Sequence, residues 1–145
     1  MRIISGRLGG RNLKTVEGEG YRPAMGKTRE ALFSMLTARG IDWHSTRVLD
    51  LFAGSGSLAF EAISRGAPHA LLVEMAPPAV RCLKANIASL EVQDEARIAS
   101  EDVLRVLKTP PAEPYSLVFM DPPYRKNLAN PAFRLLATRH WLAPG

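Results

Sequence analysis

Apolar positions along this chain fall into two spacings. Four short runs are rich in apolar residues, the second of them nearly unbroken: Arg47 to Phe52, His69 to Val73, Ala96 to Ser100 and Tyr115 to Met120. Runs of this length and character predict strands buried on both faces. Between them apolar residues recur at three and four. Leu32, Met35 and Leu36, with Ala31 and Phe33 beside them, predict a helix from about Lys27 to Arg39, stopped by Gly40. Leu58, Ala59, Ala62 and Ile63 predict a second from Ser57 to Arg65, ended by Gly66. Val80, Leu83, Ile87 and Leu90 follow Pro77-Pro78, a pair suited to a first helical turn. Val103, Leu104 and Leu107 mark a short helix, and Asn130-Pro131 reads as the cap and first residue of one running to about His140. Strands alternating with helices predict an α/β fold with a mainly parallel, doubly wound sheet. Ahead of it, Met1 to Val16 reads as a β-hairpin turning at Gly9-Gly10. A lone hairpin is marginal, so it is expected to lean on the body with its basic residues outward. The chain then divides into a hairpin extension, 1–22, and a main domain, 23–145.

Polar residues gather where the predicted strands end. Asp50 is the one carboxylate in its strand, and Phe52-Ala53-Gly54-Ser55-Gly56 follows, completing G-x-G-x-x-A with Ala59. A strand, a glycine turn and a helix start form the context of a nucleotide-binding loop. Gly54 is expected to take a positive φ, Gly56 to let a ligand approach the backbone, and the helix N-terminus to offer free N–H groups. Such loops serve NAD, FAD and S-adenosylmethionine alike, and a plain tight turn has the same pattern. Glu74 ends the second strand twenty residues past Gly54, the offset at which an acidic residue accepts the hydroxyl protons of a ribose. Asp102 follows the third strand and reads equally as an acceptor for an adenine amino group or as a helix N-cap. With Met75 and Val103 adjoining, these residues make the candidate cofactor site. Ligands of doubly wound sheets bind beyond the carboxyl ends of the strands, so one crevice is expected to collect Asp50, Gly54, Glu74, Asp102 and Asp121.

The fourth strand runs into Asp121-Pro122-Pro123-Tyr124, the candidate catalytic residues. Two prolines remove two backbone donors and stiffen the turn, leaving carbonyls as acceptors. An aspartate beside a rigid carbonyl suits an exocyclic amino group, which has two protons to give. Tyr124 offers a flat face for a base, worth about 1–3 kcal/mol in stacking. Acceptors on both protons favour a pyramidal nitrogen with its lone pair aimed at an electrophile. The sulfonium methyl of S-adenosylmethionine is the natural electrophile for the neighbouring pocket, with catalysis supplied by orientation and electrostatics.

Composition changes this picture in one respect. The chain has 145 residues, 46% apolar and 23% charged, an ordinary composition for one globular domain. No apolar run approaches the roughly 20 residues of a membrane helix, and no signal-peptide pattern opens the chain. The single cysteine, Cys82, excludes an internal disulfide and fits a reducing cytoplasm. His44, His69 and His140 show no metal-ligand spacing, so no metal is expected. The net charge of +5, however, lies wholly in residues 1–29, which hold seven basic residues against two acidic ones. A basic terminal segment on a neutral body predicts a polyanionic partner, most simply nucleic acid. The candidate contacts are Arg2, Arg7, Arg11, Lys14, Arg22, Lys27 and Arg29, with Arg125 and Lys126 beyond Tyr124.

At these residues the chain resembles the DPPY-type amino-methyltransferases that act on nucleic acid. The hairpin Arg2-Ile3-Ile4-Ser5-Gly6, Arg22-Pro23 with Arg29-Glu30-Ala31-Leu32-Phe33, and Asp50 to Gly56 narrow this to the RsmD-type guanine-N2 methyltransferases of 16S ribosomal RNA. The resemblance spans nearly the whole chain. It implies a Rossmann-like class I methyltransferase fold, S-adenosylmethionine as donor, and a small-subunit (30S) particle as substrate. It also implies that Glu74 holds the ribose, Asp102 the adenine, and that Arg22 to Arg29 closes over the cofactor. Two features depart from the family: Ala24 stands where a threonine is usual, and the family continues for several strands beyond Pro144-Gly145. The fourth strand is therefore expected to be an uncovered apolar edge, open to self-association or to a partner, as in a fragment. The rival readings are another DPPY-type enzyme acting on DNA adenine or protein glutamine, a non-catalytic RNA-binding module, and an NAD-dependent oxidoreductase. The last leaves Asp121 to Tyr124 unexplained.

Overall fold

A computed structural model of the protein describes residues 1–16, 26–122 and 127–144. The link through Arg22 and Pro23, and the candidate residues Pro123, Tyr124, Arg125 and Lys126, lie outside the described residues. Four strands, β1 (Arg47–Leu51), β2 (His69–Val73), β3 (Ala96–Ala99) and β4 (Leu117–Met120), form one parallel sheet in the order β3-β2-β1-β4. Five helices accompany them: α1 (Gly26–Ala38), α2 (Ser57–Ser64), α3 (Pro77–Leu90), α4 (Val103–Leu107) and α5 (Ala129–Thr138). From β1 the chain steps outward to β2 and β3, then returns to the other side of β1 as β4. That reversal puts the topological switch point between the carboxyl ends of β1 and β4, the place where doubly wound sheets bind ligands.

Alternation along the strands splits the core into two faces. Val48, Ala70, Leu72, Ala96 and Phe119 pack with Phe33, Phe60, Ile63 and Leu83. Leu49, Leu51 and Val73 pack with Val103, Leu107, Leu136 and Trp141. The N-terminal hairpin joins the first face through Ile3, Leu8 and Leu13, all buried. Its two arms meet at the bridge between Arg2 and Asn12, closed by Ile3 N–H to Arg11 O at 2.9 Å and Gly10 N–H to Ile3 O at 2.8 Å. Helix α2 straps it down. Glu61 accepts from the Ile4 and Ser5 N–H groups at 2.8 and 3.1 Å, and Ser64 Oγ accepts from Leu8 N–H at 2.9 Å while donating to Ser5 O at 2.6 Å.

Several boundaries differ from the sequence expectation. The first strand stops at Leu51, because Phe52 turns to a positive φ. Helix α5 begins at Ala129, so Pro131 is its third residue. That costs nothing, since the first N–H groups of a helix lack intrahelical partners anyway. Tyr115 leaves the fourth strand and bridges instead to Leu142, with Tyr115 N–H to Trp141 O at 2.7 Å and Ala143 N–H to Tyr115 O at 2.8 Å. The start of the β4 edge is thus covered by the chain's own last residues, and Tyr115 and Trp141 stack at 5.8 Å. Among the described residues no strand pairs with the outer side of Leu117–Met120, though Phe119 itself is buried. A short 3-10 turn at Trp43–Ser45, not foreseen, sets the Trp43 ring 5.4 Å from Phe33.

Candidate active site

Three neighbouring strands end side by side. Leu51 is level with Val73 on one flank and with Met120 on the other. The next residues, Phe52, Glu74 and Asp121, therefore leave the sheet together. Val73 is level with Ala99, which sets Asp102 three residues beyond the same edge. The strand ends at which the sequence placed these residues do lie side by side.

Phe52 has φ 61, a region that a bulky side chain rarely enters and that tends to mark functional loops. The strained turn hands Ala53 N–H to Val73 O at 3.1 Å and opens the glycine loop. Gly54 has φ +59 and Gly56 φ +80, so both occupy the left-handed region. Their surroundings differ. A Cβ on Gly54 meets nothing within 4 Å among the described residues, whereas one on Gly56 would lie 2.5 Å from Phe60 Cε2 and 2.8 Å from Leu83 Cδ2. Packing as well as turn geometry therefore keeps position 56 a glycine. Gly56 is required by the core beneath it, and the open space lies over Gly54.

Asp50 is 3% exposed, and its Oδ2 has no hydrogen-bond partner among the described residues. Burial pushes its carboxyl well above the ordinary carboxylate value; the Ala59 N–H at the start of α2 opposes this, and the charges of Glu74 and Asp121 add to it. Those two carboxylates thus act on the same buried group. Glu74 is fixed by three backbone donors: Gly54 N–H to Oε1 at 2.9 Å, and Met75 and Ala76 N–H to Oε2 at 2.9 and 3.0 Å. A carboxylate has about four lone-pair directions, so Oε1 retains one for a further donor. Acceptance of both ribose hydroxyls, as the sequence suggested, requires Glu74 to release a backbone N–H. Asp102 occupies the N-cap position of α4 but makes no capping bond with its side chain. Its carboxylate is not spent on the helix. Met75 is exposed, and Val103, the first residue of α4, is buried. Asp121 is exposed and Pro122 half-buried.

The basic residues divide. Arg2, Arg7, Arg11, Lys14 and Lys27 are exposed. Arg7 lies 3.4 Å from Glu95, and Arg11 donates to Ser89 O at 2.6 Å. Arg29 is different: it is 2% exposed, donates to Arg2 O at 2.7 Å and lies 3.7 Å from the fully buried Glu61. It is not presented to a phosphate. A carboxylate buried in α2 needs a compensating charge, and Arg29 with Arg65 supplies it. Cys82 is half-buried, donates to Lys14 O at 3.2 Å, and burial pushes its thiol up, away from reactivity. A cavity of about 390 Å³, lined by Arg7, His44, Asp94 and Glu95, lies at the opposite, amino end of the strands.

Sequence reasoning passed over Asn86, Glu61 and Ser64. Asn86 is fully buried and binds the Lys14 backbone and Ser55 O. A polar residue on the apolar side of α3, between Leu83 and Leu90, was the available signal.

Comparison with known proteins agrees with this geometry. The family model described as Conserved hypothetical protein 95 matches residues 1–145. Ribosomal RNA small subunit methyltransferase D of Haemophilus influenzae is 39% identical over 99% of this chain and 74% of its own length. Its namesake from Escherichia coli K12 is 37% identical over 99% of this chain and 70% of its own. The solved structure of yhhF, a candidate methyltransferase of Escherichia coli, superposes with a TM-score of 0.86 at 35% identity, covering 99% of this chain and 75% of that one.

Proposed function

The chain belongs to the family of ribosomal RNA small subunit methyltransferase D, the family described as Conserved hypothetical protein 95, and from that premise we propose that it methylates the exocyclic 2-amino group of a guanine in small-subunit ribosomal RNA, with S-adenosylmethionine as donor. The observation that carries this reading is the convergence of Asp50, Glu74 and Asp121 at three adjacent strand ends around an open glycine loop. The residues present fit the donor. Gly54 leaves room against its backbone, Asp50 offers an unpartnered buried oxygen, and Glu74 keeps one acceptor direction.

S-adenosylmethionine supplies a methyl group made electrophilic by its sulfonium. Glu74 takes a ribose hydroxyl through Oε1, and Asp102 takes the adenine amino group. Asp50 faces the cationic end of the donor. Asp121 would accept a hydrogen bond from one proton of the guanine amine and the Pro122 carbonyl from the other, which would hold the nitrogen lone pair toward the donor's methyl group. Asp121 then retains the proton lost from nitrogen. Tyr124 stacks on the base. Exposed Arg2, Arg7, Arg11, Lys14 and Lys27 contact phosphates, an electrostatic term that weakens with salt. The substrate is RNA within the assembling particle, in the cytoplasm, where the target base is unstacked.

Substituting Asp121 by Ala tests the assignment. Methyl transfer should fall by about 100-fold or more, the scale of a lost positioned acid–base group, while donor and RNA affinities hold. Equal loss of transfer and RNA binding would remove Asp121 from the chemistry.

A further inference from the structure

Asn86 is 0% exposed, and its amide reaches two elements beyond its own helix. Its Oδ1 accepts from Lys14 N–H at 2.8 Å, and its Nδ2 donates to Lys14 O at 3.0 Å and to Ser55 O at 3.1 Å. It thus pairs with Lys14 as one strand residue pairs with another, and with the same nitrogen holds the carbonyl between Gly54 and Gly56. Asn86 is the described residue whose hydrogen bonds join the hairpin to the glycine loop. The loop needs such a hold, since Phe52, Gly54 and Gly56 all carry positive φ and the N-cap residue of α2, Gly56, has no side chain to make a capping bond. The buried amide cannot turn to water, so freeing either partner leaves polar groups unsatisfied.

We propose that Asn86 is a positioning residue for the methyl-donor site: by clamping Lys14 to the Ser55 carbonyl, it makes the set of the glycine loop depend on the seating of the hairpin. This rests on the donor reading above. Two elements of different duty, a basic hairpin and a cofactor loop, are joined through one amide. By linkage, a ligand that seats the hairpin tightens the loop, and the reverse.

The test is calorimetric titration of S-adenosylhomocysteine into the full chain and two variants. Asn86→Ala removes the clamp. Ser64→Ala removes two hydrogen bonds of the same hairpin without touching the loop. Asn86→Ala should weaken binding about tenfold, the scale of one or two lost hydrogen bonds, and Ser64→Ala by less than about twofold. In turnover, the clamp variant should raise KM for the donor and leave kcat in place, a split that general loosening does not give. If Asn86→Ala does not fold, Asn86→Ser, whose shorter hydroxyl cannot span both partners, takes its place with the same expectation. Unchanged affinity in the Asn86 variant, or equal losses in both variants, would overturn the clamp. A folded wild-type chain that binds no S-adenosylhomocysteine would overturn the donor reading, and the clamp with it.

Discussion

Replacing Asp50 by Asn keeps the shape of a side chain that is 3% exposed and removes its charge. Burial raises the Asp50 pKa well above 3.8, Ala59 N–H opposes this, and Glu74 and Asp121 add to it. Below the ordinary value both folded and unfolded chains carry the proton. As pH rises past it, the unfolded chain releases the proton while the folded chain holds it, so stability falls until the raised folded pKa is passed. Asp50→Asn should therefore melt at a higher temperature than the wild type at neutral pH, and the difference should vanish in acid. Donor affinity should move the other way, because an amide, unlike the Asp50 carboxyl, cannot release a proton to face the donor's cation. Thermal melts across pH with a parallel titration check both halves; a variant destabilised at neutral pH would contradict the account. Asp50 was legible as a candidate from its place in an apolar strand. Arg29 was not legible as a buried group, because a charge count along the chain carries no information about which face of a helix turns inward.

The glycine loop separates what spacing reveals from what packing decides. Both glycines have the positive φ that the G-x-G pattern implies, yet only Gly56 has side chains pressed against it. Gly56→Ala should cost about 1–3 kcal/mol from overpacking against Phe60 and Leu83, added to about 1–2 kcal/mol of left-handed strain. Gly54→Ala should show only the backbone strain in denaturant melts while losing donor affinity, since its methyl enters the open space. Equal stability losses for the two would refute this division. The strands and helices themselves were legible because each apolar run keeps one period. What escaped were pairings between distant segments: Tyr115 with Leu142, Lys14 with Asn86, and the hairpin backbone with Glu61 and Ser64. These depend on what the fold brings together, which local pattern does not encode.

Over the whole molecule, the sheet order brings the strand ends together and the hairpin packs beside them. The crossover from β3 back to β4 brings Asp121 beside the loop that follows β1, and the hairpin lies on α2 and α3. The sequence located the charge excess in residues 1–29, and the exposure of Arg2, Arg7, Arg11, Lys14 and Lys27 agrees with an outward basic surface. The central claim is amino-group methylation of guanine, and it is tested most directly by incubating the protein with methyl-labelled S-adenosylmethionine and small-subunit particles, then digesting the RNA to nucleosides. The account predicts label in N2-methylguanosine, and none when Asp121→Ala replaces the wild type. Label on adenine, or none from a folded wild-type chain that binds the donor, would contradict it.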